Sequence, residues 1–104
     1  MNYELNHEGF EKYLIVSKEH LDGIAYRFKF ENNYGASVIK HRYSYGGDQD
    51  LWELAVIKFE ADGSWDLNYD TEVTSDVLGY RTDADIRDLL EQIKNLDEPK
   101  NEET

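Results

Sequence analysis

The stretch from residue 33 to residue 59 places the tightest limit on how this chain can fold. It contains two apolar runs, residues 35–45 and 51–59, which are joined by the five residues GGDQD. Val, Ile, Tyr, Trp and Phe are frequent in both runs, and these side chains suit a pleated, half-buried surface. A Gly-containing connection of about three to five residues is typical of a hairpin with a longer loop. We therefore predict a central β-hairpin against which the rest of the chain packs.

Two further segments alternate between apolar and polar residues, which is typical of a strand with one buried face. Residues 65–69 alternate in this way after an Asp-Gly turn signal. Residues 13–16 form a strand or the end of an N-terminal helix, and we expect residues 77–80 to tuck against the sheet. In residues 24–30 one face carries Ile24, Tyr26, Phe28 and Phe30.

One amphipathic helix is evident near the C-terminus. Thr82 is a suitable N-cap, and Asp85 completes a capping-box pattern with Asp in place of Glu. The fold class predicted is α+β: an antiparallel four- to five-stranded β-meander with the C-terminal α-helix packed on one face. Residues 1–96 form a single domain, and we expect residues 97–104 to be an acidic disordered tail. An apolar stripe at three- and four-residue spacing supports the helix: Ile86, Leu89, Leu90, Ile93 and Leu96.

The charge of the chain is strongly negative and unevenly distributed. The net charge is −12, and residues 1–59 contribute nine acids against seven Lys or Arg, a balance of −2. Residues 60–104 contribute 14 acids against four Lys or Arg, a balance of −10. Because DNA, RNA and anionic lipid attract basic surfaces, we expect no direct nucleic-acid partner and no membrane partner. No stretch approaches ~20 apolar residues, and the absence of cysteine fits a cytosolic protein.

Signals for catalysis or metal binding are weak. The chain has no cysteine nucleophile, and its histidines, His7, His20 and His41, are scattered without a paired spacing. Carboxylate pairs such as Asp66 and Asp70 could act as acid and base or hold a divalent cation, but the DxDxDG spacing of a calcium loop is absent. We therefore expect a protein that is not an enzyme and that binds no metal and no cofactor.

The acids of residues 60–76 are the densest charge cluster, with six acids and no Lys or Arg in seventeen residues. Duplex DNA carries one charge per ~3.4 Å along each strand, and acids three residues apart on a helix rise by ~4.5 Å. Such an array can imitate a phosphate backbone to a protein whose groove is lined with Lys and Arg. The alternative explanation is that these acids are solvated surface charges that keep a small domain soluble. The predicted partner-binding residues are Glu60, Asp62, Asp66, Asp70, Glu72, Asp76, Asp85 and Asp88.

Two alternatives concern other surfaces. Exposed aromatic residues around Tyr43, Tyr45 and Trp52 favour a structural or adaptor module, which could form a homodimer through an aromatic sheet face. Basic residues interleaved with tyrosines could instead clamp a single nucleic-acid strand, although the overall field opposes this. The basic residues in question are Lys12, Lys18, Arg27, Lys29, Lys40 and Arg42.

The strings NYGASVI, YSYGG, LWELAVI, YDT and VLGY, with a helix that opens with Thr-Asp, resemble a family of small proteins encoded by bacteriophages and prophages. The resemblance spans roughly residues 35–96, and it carries no activity and no site residue over to this chain. It implies a phage accessory protein that works in the cytosol of a bacterial host. Short acidic proteins in that setting are similar in kind to inhibitors of host nucleases, restriction systems and CRISPR systems. The expected partner is therefore a basic, nucleic-acid-binding host protein.

Overall fold

The computed structural model describes residues 2–74 and 76–97, in which six antiparallel strands form one sheet. The first five strands neighbour one another in chain order, and the C-terminal helix packs against the third and fourth. This confirms the predicted α+β meander and adds a sixth strand. Residues 98–104 of the predicted 97–104 tail lie outside the described residues. The elements are β1 (Leu14–His20), β2 (Gly23–Lys29), β3 (Tyr34–Lys40), β4 (Trp52–Phe59), β5 (Trp65–Leu67), β6 (Leu78–Arg81) and α1 (Asp83–Lys94).

The predicted central hairpin is present as β3 and β4, with Val38 opposite Leu54. Its loop is longer than predicted, because the strand expected to reach residue 45 ends at Lys40 and residues 41–51 form the connection. The Ser44 hydroxyl accepts from the His41 backbone N–H at 3.0 Å and donates to the His41 carbonyl at 2.8 Å. A Ser side chain that bonds nearby backbone in this way competes with the strand ladder, so the strand ends early.

The fourth strand is an interior strand of the sheet with neighbours on both sides, as the nearly continuous apolar run predicts. β3 lies along one of its edges, and two short strands share the other edge end to end. β5 pairs with Ile57–Phe59, and β6 pairs with Trp52 and Leu54. β5 ends at Leu67, which is two residues earlier than predicted. The connection 68–77 leaves the outer edge of β4 where the Asn68 N–H donates to the Val56 carbonyl, and it returns to that edge where Leu78 pairs with Leu54.

The helix covers one face of the sheet. Thr82 and Asp85 form the predicted capping box, since the Thr82 hydroxyl accepts from the Asp85 N–H at 3.1 Å and the Asp85 carboxylate accepts from the Thr82 N–H at 3.0 Å. Leu89 and Leu96 are partly buried at the margin of the core. The fully buried helix residues, which pack with Phe28, Trp52 and Val56 of the sheet, are Ile86, Leu90 and Ile93.

The N-terminal residues lie across the same face as the helix. The Tyr26 hydroxyl donates to the Tyr3 carbonyl at 3.0 Å, and the Arg87 guanidinium donates to the Asn6 carbonyl at 3.0 Å. The Lys40 ammonium donates to the Asn2 carbonyl at 2.6 Å. These contacts tie residues 2–10 to both the sheet and the helix. Within the described ranges, no helix has the length and apolar character needed to cross a bilayer.

Candidate protein-binding surfaces

The acids of residues 60–76 lie in the segment that joins β4 to β6. Glu60 and Asp62 lie in the β4–β5 turn, Asp66 lies on β5, and Asp70, Glu72 and Asp76 lie in the connection to β6. All six side chains are exposed. We call these six residues the acidic strip.

Most carboxylates of the acidic strip have no internal partner. Asp66 faces Lys58 across the β4–β5 ladder, yet no ion pair within 4 Å involves either residue in the described part of the chain. The ion pairs found there are Lys40–Asp50, Arg42–Asp22 and Lys94–Glu91. Four strip side chains also accept no hydrogen bond from the described residues: Glu60, Asp66, Asp70 and Glu72.

The two remaining strip acids have local structural tasks. Asp62 accepts from the Ser64 hydroxyl at 2.6 Å and from the Ser64 N–H at 2.9 Å, and these two bonds hold the pKa of Asp62 below its usual value. Asp76 accepts from the Val77 N–H at 2.7 Å. Both acids therefore help to shape the backbone, and substitutions there would change structure as well as charge.

The acidic strip approaches the helix acids at one cleft. A cavity of about 380 Å³ is lined by both the connection and the helix, so these two elements lie side by side. Gln92, which lines the cleft, donates at 2.9 Å to Asp88, which lies one turn closer to the start of the helix. Asp85 lies on the same exposed side one turn earlier, where the backbone N–H of Thr82 holds the pKa of Asp85 below its usual value. The cleft is lined by Glu72, Val73, Glu91, Gln92, Asn95 and Leu96.

The strip does not form a straight row along β4. The Asn68 N–H donates to the Val56 carbonyl and Leu78 pairs with Leu54, so residues 68–77 leave and rejoin the β4 edge two residues apart. Glu72 lies away from that edge, at the cleft beside the helix. The charge density on which the mimicry hypothesis depends is therefore that of the sequence, six acids and no Lys or Arg in seventeen residues.

The aromatic set predicted for the alternative interface is divided by the fold. Tyr43 and Tyr45 are 73% and 61% exposed in the 41–51 loop. Trp52 is only 1% exposed, and its ring packs against that of Tyr26 at 5.7 Å between centroids. Trp52 is therefore a core residue, and its predicted place in an exposed aromatic interface is wrong. Its position on β4 turns the side chain towards the face of the sheet that the helix covers.

Two exposed residues that the sequence analysis missed join Tyr43 and Tyr45. Tyr80 donates its backbone N–H to the Tyr45 carbonyl at 3.1 Å, and Leu21 lies in the β1–β2 turn, where the neighbouring Asp22 pairs with Arg42. Leu21 and Tyr80 are 66% and 55% exposed. We call the four residues Leu21, Tyr43, Tyr45 and Tyr80 the tyrosine end.

Leu21 and Tyr80 share an unusual backbone conformation. Their φ angles are +56° and +58°, in the left-handed region that costs an L-residue roughly 1–2 kcal/mol. Leu21 is the first of two residues joining the paired His20 and Gly23, a position where short hairpins favour Gly. Tyr80 lies at an irregularity in the β4–β6 register, and such bulges re-aim a side chain. For Leu21, the sequence signal of this conformation was a bulky residue at the first position of the Leu-Asp-Gly turn.

The basic residues of the nucleic-acid alternative do not share one accessible surface. Lys40 is 2% exposed and donates to Asp50 at 2.9 Å. Arg42 is engaged by Asp22 at 2.7 Å. Arg27 lies over the Trp65 ring, 4.4 Å from its centroid. These contacts assign three of the six cations to internal partners.

Two of the three histidines, His20 and His41, lie edge to face. The His20 and His41 rings are 5.2 Å apart between centroids, and His41 Nδ1 accepts from the Tyr43 N–H at 3.0 Å. Residues 2–74 and 76–97 contain no group of three or more His, Asp or Glu side chains arranged to hold a metal ion.

Comparison with known proteins adds no family to these observations. No protein-family model matches the chain, and no curated protein and no solved structure matches it. The surfaces are therefore interpreted from their own geometry and charge.

Proposed function

We propose that this chain is a non-enzymatic phage or prophage accessory protein that binds a basic host protein through the acidic strip. The target is a nucleic-acid-binding or defence protein of the bacterial cytosol, of the kind that anti-restriction and anti-CRISPR proteins block. The carboxylates of the strip, with Asp85 and Asp88 on α1, occupy the groove that otherwise holds nucleic-acid phosphates. The observation that carries this proposal is the set of exposed carboxylates that have no ion-pair partner within residues 2–74 and 76–97: Glu60, Asp66, Asp70 and Glu72.

Unpaired charge at this density has a physical cost and a physical use. Like charges in proximity repel one another and destabilise the folded state, whereas solubility requires only scattered charge of mixed sign. The same field attracts a basic partner over distances of about a Debye length, ~8 Å at physiological salt, and accelerates association. Binding of this kind weakens as salt rises and competes with duplex DNA for the same groove.

The experiment uses immobilised chain and a defined mixture of candidate targets. Bacterial proteins that elute from DNA–cellulose are treated with nuclease and passed over the wild-type chain at low salt. We expect retention of at least one protein, and we expect both added duplex DNA and rising salt to release it. The triple variant Asp66→Lys/Asp70→Lys/Glu72→Lys should lose this retention, because it replaces three carboxylates that support no internal bond.

A charge-matched variant separates the strip from the net charge. Glu8→Lys/Glu19→Lys/Glu31→Lys changes the net charge by the same amount at three exposed positions outside the strip, and it should retain the target as wild type does. Equal retention by the strip variant, or retention that duplex DNA does not reverse, contradicts the proposal. Loss of retention in both variants would show that only total charge matters, which also contradicts it.

A further inference from the structure

The tyrosine end is an exposed apolar feature that the proposed function does not use. Its four residues come from three segments that meet at one end of the sheet: the β1–β2 turn, the 41–51 loop and β6. Contacts link these segments. The Arg42 guanidinium joins the turn to the loop at 2.7 Å, and the Tyr45 carbonyl joins the loop to β6 at 3.1 Å.

Local strain indicates that these side chains are held outward for a purpose. Leu21 and Tyr80 combine a left-handed backbone with more than half of the residue exposed. Gly or Asn would adopt the same conformation at lower cost and without exposing apolar surface. Strain that the surroundings maintain is concentrated at ligand and partner sites. The two strained residues lie on segments that contact the 41–51 loop of Tyr43 and Tyr45, so all four lie at the same end of the sheet.

Two carboxylates at this end are paired with cations, whereas no acid of the acidic strip has such a pair among the described residues. Asp22 is paired with Arg42, and Asp50 is paired with Lys40 at 2.9 Å. Asp48 of the 41–51 loop is exposed, and the Glu53 carboxylate accepts from the neutral Tyr45 N–H at 2.8 Å, so these two charges remain. Two copies of a chain with a net charge of −12 repel each other, so they approach most easily where carboxylates are paired with cations. Asp22 and Asp50 meet this condition at the tyrosine end.

The available apolar area fits a small dimer interface. A standard interface buries ~800 Å² on each partner. A large aromatic side chain buries roughly 150–250 Å² when it is fully covered. The three tyrosines are 55–73% exposed and Leu21 is 66% exposed, so together they supply about half of the standard area. Tyrosine also contributes little rotamer freedom to lose and one hydroxyl that can bond across an interface.

We propose that the tyrosine end is a self-association surface, through which two copies of this chain form a two-fold symmetric dimer. In such a dimer each copy contributes the same four residues, and the two acidic strips remain outside the interface. The proposal is independent of the function proposed for the strip. The salt dependences of the two interactions have opposite signs, because screening weakens attraction to a basic partner and relieves repulsion between two acidic copies.

The test measures molar mass by analytical ultracentrifugation over a concentration series at low and high salt. We expect reversible dimerisation that tightens as salt rises. The double variant Tyr43→Ser/Tyr45→Ser should raise the dimer dissociation constant at least tenfold. Tyr80→Gly should do the same without lowering the thermal midpoint of the dilute monomer, because Gly relieves the left-handed strain while removing the side chain.

A control variant at other exposed apolar residues keeps the test specific. Leu67→Ser/Tyr69→Ser removes side chains that are 49% and 41% exposed on and after β5, and it should leave the dissociation constant unchanged. A chain that is monomeric up to about millimolar concentration, or a dimer that salt weakens, overturns the proposal. So does an unchanged dissociation constant in the double variant. Binding of a different protein by these residues while the chain stays monomeric overturns it as well.

Discussion

The indole N–H of Trp52 donates to the carboxylate of Asp83 at 2.6 Å, which joins the central strand to the first turn of the helix. Trp52 lies in the core on β4. Among the described residues, the acceptor for its Nε1–H is the Asp83 carboxylate. A negative charge in the first turn is also favoured by the helix dipole. The bond therefore fixes where α1 begins on the sheet, and it gives Asp83 a structural task that sequence alone does not reveal.

Trp52→Phe should lower the free energy of unfolding by about 1.5–3 kcal/mol, the usual contribution of a hydrogen bond to a charged group. The ring contact with Tyr26 is partly kept, but the variant also removes part of a fully buried ring, so the loss adds a packing contribution to that of the bond to Asp83. Urea unfolding followed by circular dichroism measures the change. Trp65→Phe is the matched control, since Trp65 is 36% exposed and its replacement should cost less than about 1 kcal/mol. Equal losses in the two variants would contradict this account.

Local patterns in the sequence were sufficient to predict the position of several secondary-structure elements. The capping box needs only Thr82 and Asp85, three residues apart, and the period of two in residues 24–30 needs only neighbours along one strand. These features depend on short-range geometry, so the helix start and β2 are close to their predicted positions. The meander order follows from short connections between successive strands.

Features that depend on the pairing of residues far apart in the chain could not be predicted from the sequence. β6 forms because Arg81 comes opposite Trp52, 29 positions away, and no local pattern encodes that partner. The face taken by Trp52 depends on the same register. Leu67 lies opposite Ile57, on the sheet face away from the helix, so the apolar alternation of β5 does not lead into the core. For the candidate surfaces, the sequence identified the acids but not which of them serve local turns.

Thr82→Ala should lower the free energy of unfolding by about 1 kcal/mol, because it removes the hydroxyl that accepts from the Asp85 N–H. The loss should be largely recovered in Thr82→Ser, which keeps an acceptor at the same position. Thermal or urea unfolding of the three proteins provides the measurement. A Ser variant as unstable as the Ala variant would show that the methyl contact, rather than the cap, is what matters at this position.

Lys40→Met should loosen the N-terminal residues and lower the free energy of unfolding by about 1–2 kcal/mol. The variant loses the 2.6 Å bond to the Asn2 carbonyl and the position of the ammonium 4.2 Å from the centre of the Trp52 ring. Amide hydrogen exchange should accelerate in residues 2–6 before it does in the sheet. Lys58→Met, on the same sheet but without an ion pair, is the control. Unchanged exchange in residues 2–6 would contradict the anchoring role.

The contact between Lys40 and Asp50 predicts that the stability of the fold depends on pH. The hydrogen bond from Lys40, and after it the bond from the Asn2 N–H, holds the pKa of Asp50 below the usual value of 3.8. A carboxyl whose pKa is lower in the folded state stabilises the fold above the unfolded value, and this contribution is lost as the pH falls through the folded value. The difference in stability between wild type and Lys40→Met should therefore shrink as the pH falls below 3.8. A difference that is constant across this window would show that Asp50 contributes nothing to it.

Crowding of like charge in the acidic strip should be visible as a salt-dependent stability. Asp66→Asn/Asp70→Asn/Glu72→Gln removes three charges that have no internal partner, and each relieved like-charge neighbour is worth roughly 0.2–0.5 kcal/mol at low ionic strength. The variant should therefore unfold at higher urea than wild type in low salt, and this gain should vanish in high salt as screening replaces it.

The matched control for that salt effect is Glu8→Gln/Glu19→Gln/Glu31→Gln. It removes the same number of charges from residues 1–59, where nine acids are offset by seven Lys or Arg, so it should gain little or lose stability. Unfolding midpoints of the three proteins at two salt concentrations make the comparison. If both variants gained equally, the repulsion would belong to the molecule as a whole, and the acidic strip would hold no concentrated field for a basic partner to recognise.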